Sequence, residues 1–402
     1  MKHFKINNYN LALLQEKSKL YGYLNGKLDK VCFKLDGTDF VVALNSGDGE
    51  VLTNLEVEYE NGSTPDTTAL YFSTDYQKWA TTLQKFNGAE CLHISLGESL
   101  MRVKIDGSQD VINLSLIYYD DCSQQADAIT RFIAARRDEI KGFNHKLVLT
   151  PEILADFDLM GNLFTTQGRI NAIGVSSTDV MYSDRSVVVK ANLDEELPAE
   201  LFDSLPDDDN HIQIHSFTLK LLDILSEFNK EAWFDSDYEV LYWADEHTEL
   251  VLSSEAKVLA LPTAEQLEGI KPINKDTYFD VNIDTLREGL AFFTGFYDGD
   301  IWKPVTFTLN KGEDVVLRYQ KPSADLTKVL EGVESPFNCT FSVDSETLRK
   351  ILQKIKDRYP NEELVVRFNC DDDTVPSEDE APGVYCTVGN TYEFNICKLR
   401  DD

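Results

Sequence analysis

Residues 339–359 read CTFSVDSETLRKILQKIKDRY. A short strand-like run leads to Asp344 and Ser345, either of which suits a helix N-cap. Beyond them Leu348, Ile351, Leu352, Ile355 and Tyr359 fall on one face of a helix. Arg349, Lys350 and Lys354 take the outward half, where Asp357 joins them. The same grammar recurs five more times along the chain. FKINNYNLALLQEKSKLYGYL (4–24), ALYFSTDYQKWATTLQKFN (69–87), HKLVLTPEILADFDLMGNLF (145–164), HIQIHSFTLKLLDILSEFN (211–229) and YFDVNIDTLREGLAFFTGF (278–296) each run from strand to helix. Two or three strands joined by turn residues follow each helix, as in KVCFKLDGTDFVV, where Asp36-Gly37 marks a tight turn.

This repeat sets the fold class. The expected architecture is α+β, with each unit burying one sheet face under one helix. A single unit is too small to be stable, so units must pair. Six units then make three two-unit domains, with boundaries expected at 1–122, 123–270 and 271–402. Helix starts are expected at Thr74 or Asp75, at Thr150 followed by Pro151, at Ser216 and at Asp284. Residues 121–144 read as a partly helical connector, and 321–338 as a linker between the fifth and sixth units.

The chain has 402 residues, 38 Lys and Arg against 70 Asp and Glu, and a formal net charge of −32. Its 42% hydrophobic content, with 22 Phe and 17 Tyr, supplies a core and argues against disorder. No apolar run is long enough to span a membrane, and the N-terminal stretch has no signal-peptide core. A cytoplasmic protein is expected. The seven scattered cysteines include no C-x-x-C pair and read as reduced thiols rather than disulfides or a zinc site. Phosphate-binding, zincin, hydrolase and dinucleotide motifs are lacking, which speaks against an enzyme. No cofactor is expected. His211 and His215 share one face of a strand, but no third metal ligand accompanies them. The runs Asp207–Asp209 and Asp371–Asp373 read as solvated loops, and Gly47-Asp48-Gly49 as a hairpin turn.

Three tandem pairs of strand–helix–strand units on an acidic chain resemble a DNA sliding clamp, most closely the three-domain bacterial β clamp also used by phages. KLDKVCFKLDGTDFVV (27–42) resembles the first clamp hairpin, and YEFNICKLRDD (392–402) the family's C-terminal ending. YEVLYWADEHTELVL (238–252) is also similar to two-domain phage clamps, but six units fit a dimer of three domains better than a trimer of two. The resemblance implies a non-enzymatic processivity factor: a homodimeric ring, helices lining the hole and sheets outside, in a bacterial cell or in host cytoplasm if phage-encoded. Double-stranded DNA would be held without regard to sequence, and polymerase and clamp loader would dock through short linear motifs. Arg185, Phe394, Ile396, Cys397 and Leu399 match the partner pocket by position. Asn395 and Cys397 are smaller or more polar than that family's usual residues, and the chain runs on past Leu399.

Sliding requires weak contacts without sequence information, which Lys and Arg give to phosphates. Counting at 100° per residue puts Lys78 and Lys85 opposite the apolar stripe of Tyr76, Trp79, Ala80, Leu83 and Phe86. Lys230 at the end of the fourth helix, with Arg349, Lys350 and Lys354 on the sixth, completes the expected DNA-binding set. The third and fifth helices present Asp158, Asn162, Glu288 and Gly295 instead. Lys17 and Lys19 lie on the first, whose stripe is too ragged to orient. The alternatives are an acidic DNA mimic or scaffold that binds DNA-binding proteins, and an enzyme on the same scaffold if a metal joined His211 and His215.

Overall fold

The computed structural model describes residues 2–23, 30–46, 49–66, 68–86, 88–119, 123–141, 146–161, 172–183, 187–202, 211–234, 240–253, 262, 266–267, 271, 277–297, 302–370 and 383–399. Helix and sheet follow the repeat closely. The first unit comprises β1 (Lys2–Asn7), α1 (Asn8–Tyr23), β2 (Lys30–Asp36), β3 (Asp39–Asn45) and β4 (Gly49–Glu56), with a two-residue β5 (Glu58–Tyr59). The second comprises β6 (Leu70–Asp75), α2 (Tyr76–Lys85), β7 (Cys91–Leu96), β8 (Leu100–Ile105) and β9 (Val111–Ser115), then a short β10 (Ile117–Tyr118). A separate helix, α3 (Ser123–Ile140), follows. The third has β11 (Lys146–Val148), α4 (Pro151–Gly161), β12 (Ala172–Val175), β13 (Asp179–Ser183) and β14 (Val187–Asn192). The fourth has β15 (Ile212–His215), α5 (Ser216–Ser226), β16 (Glu231–Phe234), β17 (Val240–Ala244) and β18 (Thr248–Ser253). The fifth has β19 (Tyr278–Asn282), α6 (Ile283–Ala291), β20 (Pro304–Leu309), β21 (Asp314–Lys321) and β22 (Ala324–Glu334). The sixth has β23 (Cys339–Asp344), α7 (Ser345–Arg358), β24 (Val365–Asn369), β25 (Gly383–Val388) and β26 (Tyr392–Cys397).

Every unit is therefore strand, helix and three strands. Residues 321–338, expected as a linker, instead hold β22, whose alternating burial pairs it along β21. Asp325, Glu331 and Glu334 are exposed, but Lys328 falls on the opposite side and Val329 on the exposed one, which hid the period-2 pattern.

The sheet order explains why units pair. The leading strand of each unit leaves its own sheet and joins its companion's. Thus β1 adds to β7-β8-β9 and β6 to β2-β3-β4. Likewise β11 joins β16, β15 joins β12, β19 joins β24 and β23 joins β20. Sheets are then extended further by antiparallel pairing of β4 with β18 and of β14 with β26. The results are sheets of five, nine, eight and four strands. Among the described strands, β9 ends the five-stranded sheet and β22 ends the four-stranded one.

The chain divides into two compact units, residues 1–150 with 220–255, and residues 151–219 with 256–402. In the first, Phe4, Phe33, Phe40, Phe72 and Trp79 form one aromatic core, with Phe33 lying 5.1 Å from both Phe72 and Trp79. Such pairs add about 1 kcal/mol each to the area they bury. Strand β3 is buried continuously from Phe40 to Leu44 because both sheet faces are covered. On the second face, Ile129 and Ile133 of α3 pack on Val41, Ala43, Leu52, Tyr242 and Val251. The connector expected at 121–144 is thus a sheet-covering helix. In the second compact unit, Phe307 lies 4.8 Å from Phe341 and 5.7 Å from Phe368, so the fifth and sixth repeats share a core.

The caps follow in part. Asp75 accepts from the Lys78 N–H at 2.9 Å, and Asp344 from that of Thr347 at 3.1 Å. The cap of α6 is Asn282 rather than Asp284. Its side-chain oxygen accepts from the Asp284 N–H at 2.9 Å and the Thr285 N–H at 3.3 Å. Asp284 stands in the first turn, where the helix dipole favours its charge.

Candidate nucleic-acid and partner surfaces

Helix α2 buries Tyr76, Trp79, Leu83 and the following Phe86. Its opposite face exposes Gln77, Lys78, Thr81, Gln84 and Lys85. No acid occurs anywhere between Tyr76 and Lys85. Among the described residues, neither lysine has a carboxylate partner. They lie two turns apart, about 10 Å along the axis. This face offers two mobile cations and neutral hydrogen-bonding groups, the chemistry a phosphate backbone requires.

Helix α7 is more basic in sequence but is electrostatically occupied. Lys350 pairs with Glu346 at 3.3 Å, and Lys354 with Asp158 of α4 at 3.7 Å. Arg349 is half-buried and donates to the Thr294 hydroxyl at 3.4 Å. Lys356 pairs with Asp284 at 3.0 Å, and Arg358 reaches the buried Asp156 of α4 at 3.3 Å and also Asp194. Burial raises the Asp156 carboxyl above its usual range, while the Asp194 N–H and Arg358 oppose that rise. The exposed Lys350 and Lys354 pairs are weak, worth well under about 1 kcal/mol each, and can be exchanged for phosphates. The Arg358 contacts join α7 to α4 and serve packing.

Lys230 differs from its expected position. Helix α5 ends at Ser226, and Lys230 stands exposed in the turn before β16, its carbonyl accepting from the Leu149 N–H at 2.7 Å. Gly295 likewise lies beyond the end of α6, in a left-handed turn. Asn162 and the side chain of Lys19 lie outside the described residues.

Lys17 is 1% exposed. Its ammonium pairs with Asp245 and sits 3.3 Å from the centre of the Phe228 ring. Asp245 also accepts from the backbone N–H groups of His247 and Thr248 at 2.9 and 2.8 Å. This lysine fastens α1 beside the β4–β18 junction and has no access to a ligand.

On the C-terminal strand, Phe394 and Ile396 are 1% and 2% exposed, between β14 and β25. They form the floor of this region. Cys397 and Leu399 are half-buried and remain reachable, with Leu399 anchored by its N–H to the Ser342 carbonyl at 2.7 Å. Arg185 lies outside the described residues. Asn395 explains Gly383: a Cβ there would lie 2.0 Å from the Asn395 amide oxygen.

His211 lies 3.1 Å from Asp179, and the His215 side chain is outside the described residues. Burial would raise the Asp179 carboxyl, but His211 and Lys190 hold it down to about 2.

Compared with solved structures, the chain matches a DNA polymerase sliding clamp from Pseudomonas aeruginosa with a TM-score of 0.68 at 12% identity, over 100% of both chains. The chain has the sliding-clamp fold. A DNA polymerase III beta subunit from Thermotoga maritima gives 0.66 at 12% identity, again over 100% of both chains. A Pseudomonas aeruginosa sliding clamp bound to griselimycin gives 0.66 at 13% over the same full lengths. No family model matches the sequence, and no curated protein matches it. The clamp fold is thus carried by the six-unit pattern with little residue identity. The paired cations of α7 reach acids 72 or more residues distant, apart from Glu346, so sequence proximity gave no sign of them.

Proposed function

We propose that this protein is a DNA sliding clamp. Two copies join head to tail into a ring around duplex DNA, without catalysis and without regard to sequence. The ring tethers a DNA polymerase and other replication proteins, and a clamp loader places it on DNA. The observation that carries this reading is the full-length match of all six units to sliding clamps. The domain boundaries at residues 122/123 and 270/271 belong to the same proposal.

Two further observations support it. Among the described residues, strands β9 and β22 each leave one sheet edge without a neighbour, in the first and third proposed domains. Edge strands in those positions suit head-to-tail pairing between copies. The acid-free face of α2 suits sliding contacts, with Lys78 and Lys85 as the principal cations and Lys350, Lys354, Arg349 and Lys230 secondary. Partner motifs dock beside the C-terminal strand at Cys397 and Leu399, over the Phe394 and Ile396 floor, with Arg185 completing the site. The griselimycin-bound neighbour supports a ligand-binding surface in this fold.

The acidic-mimic reading draws on the net charge of −32 and on the carboxylates that occupy α7. Retention on DNA separates the two. A clamp loaded onto a nicked circle stays bound in high salt and is released when the circle is cut. Salt-sensitive binding that is equal on circles and linear DNA, or no binding at all, contradicts the clamp.

A further inference from the structure

The outer side of the five-stranded sheet carries a cluster that the clamp reading does not use. Cys91 and His93 sit two apart on β7, so both side chains leave the same face, while Leu92, Ile94 and Leu96 point to the core. Asp106 follows the end of β8, in a turn closed by Gly107 in the left-handed conformation. The Cys91 sulfur lies 3.4 Å from His93 Nε2, and Nε2 lies 3.7 Å from Asp106 Oδ1. The three donor atoms all fall within 4.8 Å of one another.

A second observation concerns the other ring nitrogen. His93 Nδ1 lies 2.7 Å from Glu60 Oε2. Glu60 is itself held at both backbone groups: its N–H donates to the His3 carbonyl and its carbonyl accepts from Ser63, both at 2.9 Å. A carboxylate on Nδ1 fixes that nitrogen as the donor and leaves the Nε2 lone pair directed at Cys91 and Asp106. This is the outer-shell arrangement that orients metal-binding histidines. Bond lengths of about 2.3 Å to sulfur and 2.0–2.1 Å to nitrogen or oxygen imply tetrahedral edges near 3.6 Å and 3.3 Å. The two separations from Nε2, 3.4 Å to sulfur and 3.7 Å to oxygen, are within about 0.4 Å of those edges, and the sulfur and oxygen lie within 4.8 Å of each other.

We propose that Cys91, His93 and Asp106 form a binding site for a zinc-type divalent cation, with Glu60 as the positioning residue for His93. The mixed sulfur, nitrogen and oxygen set favours a borderline-soft ion over magnesium or calcium. Cys91 binds as thiolate and its proton passes to solvent. Asp106 is 65% exposed, so the fourth position faces water. Lys5 and Lys104 neighbour His93 across the sheet, and Lys5 is already held by Glu58 at 2.9 Å. The bound ion ties the β8–β9 turn to β7.

Cobalt(II) alone is the probe, titrated into the full-length protein at micromolar concentration. The expected result is one equivalent bound with a thiolate-to-cobalt charge-transfer band and intense tetrahedral d–d bands. Cys91→Ser removes the charge-transfer band, whereas Cys397→Ser, at a second half-buried thiol, leaves it intact. His93→Gln and Asp106→Asn each weaken binding at least tenfold. Glu60→Gln keeps the band and weakens binding about 10–100-fold. Absence of the band in the unmodified protein, or its survival in Cys91→Ser or unchanged affinity in His93→Gln, overturns the site. Asp106 is exposed and Cys91, His93 and Glu60 are half-buried, so unchanged circular dichroism is required to confirm that each variant is folded.

Discussion

At the scale of single residues, the buried charges do more for stability than the visible ones. Lys17 lies among Phe228, Trp243 and Asp245 and is shielded from water. Removing one partner of a buried pair strands the other, at a cost of about 3–5 kcal/mol. Asp245 keeps two backbone donors, so Lys17→Met is expected to destabilise by about 3 kcal/mol, read as a lower urea midpoint at unchanged slope. Glu50 gives a pH signature. Burial pushes its carboxyl up to about 7, despite a hydrogen bond from Asn45 that opposes the shift. A carboxyl whose pKa is raised on folding binds more protons folded than unfolded between 4.5 and about 7. Stability is therefore greatest below that window and falls as pH rises through it. Glu50→Gln should remove this decline and gain on the order of 1–2 kcal/mol at pH 8, since partial exposure reduces the full shift. Denaturant melts at pH 5 and pH 8 check the sign. Neither residue was legible in sequence. The ragged stripe of the first helix gave Lys17 no orientation, since its partner lies on the fourth repeat unit, and Glu50 sits in an ordinary strand.

At the scale of elements, most of the order was legible and the polar contacts were not. The strand-to-helix transitions, the apolar stripes of α2 and α7 and the caps at Asp75 and Asp344 follow from periodicity and cap chemistry. The missed strand β22 and the full length of α3 share a cause: charged residues outnumber the few that are buried, Leu330 on β22 and Ile129 and Ile133 on α3. Gly289 on α6 shows what local propensity cannot reveal. A Cβ there would stand 2.6 Å from Leu330 Cδ2 and 3.2 Å from Leu317 Cδ1, both buried. Alanine favours helix by about 1 kcal/mol over glycine, yet overpacking a core costs about 1–3 kcal/mol. Gly289→Ala is therefore expected to lower the thermal midpoint. The two basic helices also separate. Neutralising Lys78 and Lys85 together should weaken DNA binding and reduce the salt slope by about 0.9 per lost phosphate contact. Changing Lys350 and Lys354 should have a smaller effect, because each already faces a carboxylate. A salt titration of both double variants by fluorescence anisotropy decides the order. Equal losses would contradict the ranking.

At the scale of the molecule, six copies of one strand–helix–three-strand unit exchange their leading strands in pairs. That exchange is why no unit stands alone, and why the repeat was readable at 12% identity to a solved clamp. Which edges would meet between copies was only partly readable, since β22 was taken for a linker. The acidic total disfavours DNA binding in general, and the acid-free face of α2 is the surface at which the proposed clamp would admit it. The central claim is that this clamp fold closes into a ring, and electron microscopy of the purified protein tests it most directly. The account predicts closed rings of two copies, with a six-fold appearance from twelve units around the hole. Single, open particles at every concentration, with no closed ring on circular DNA, would contradict it.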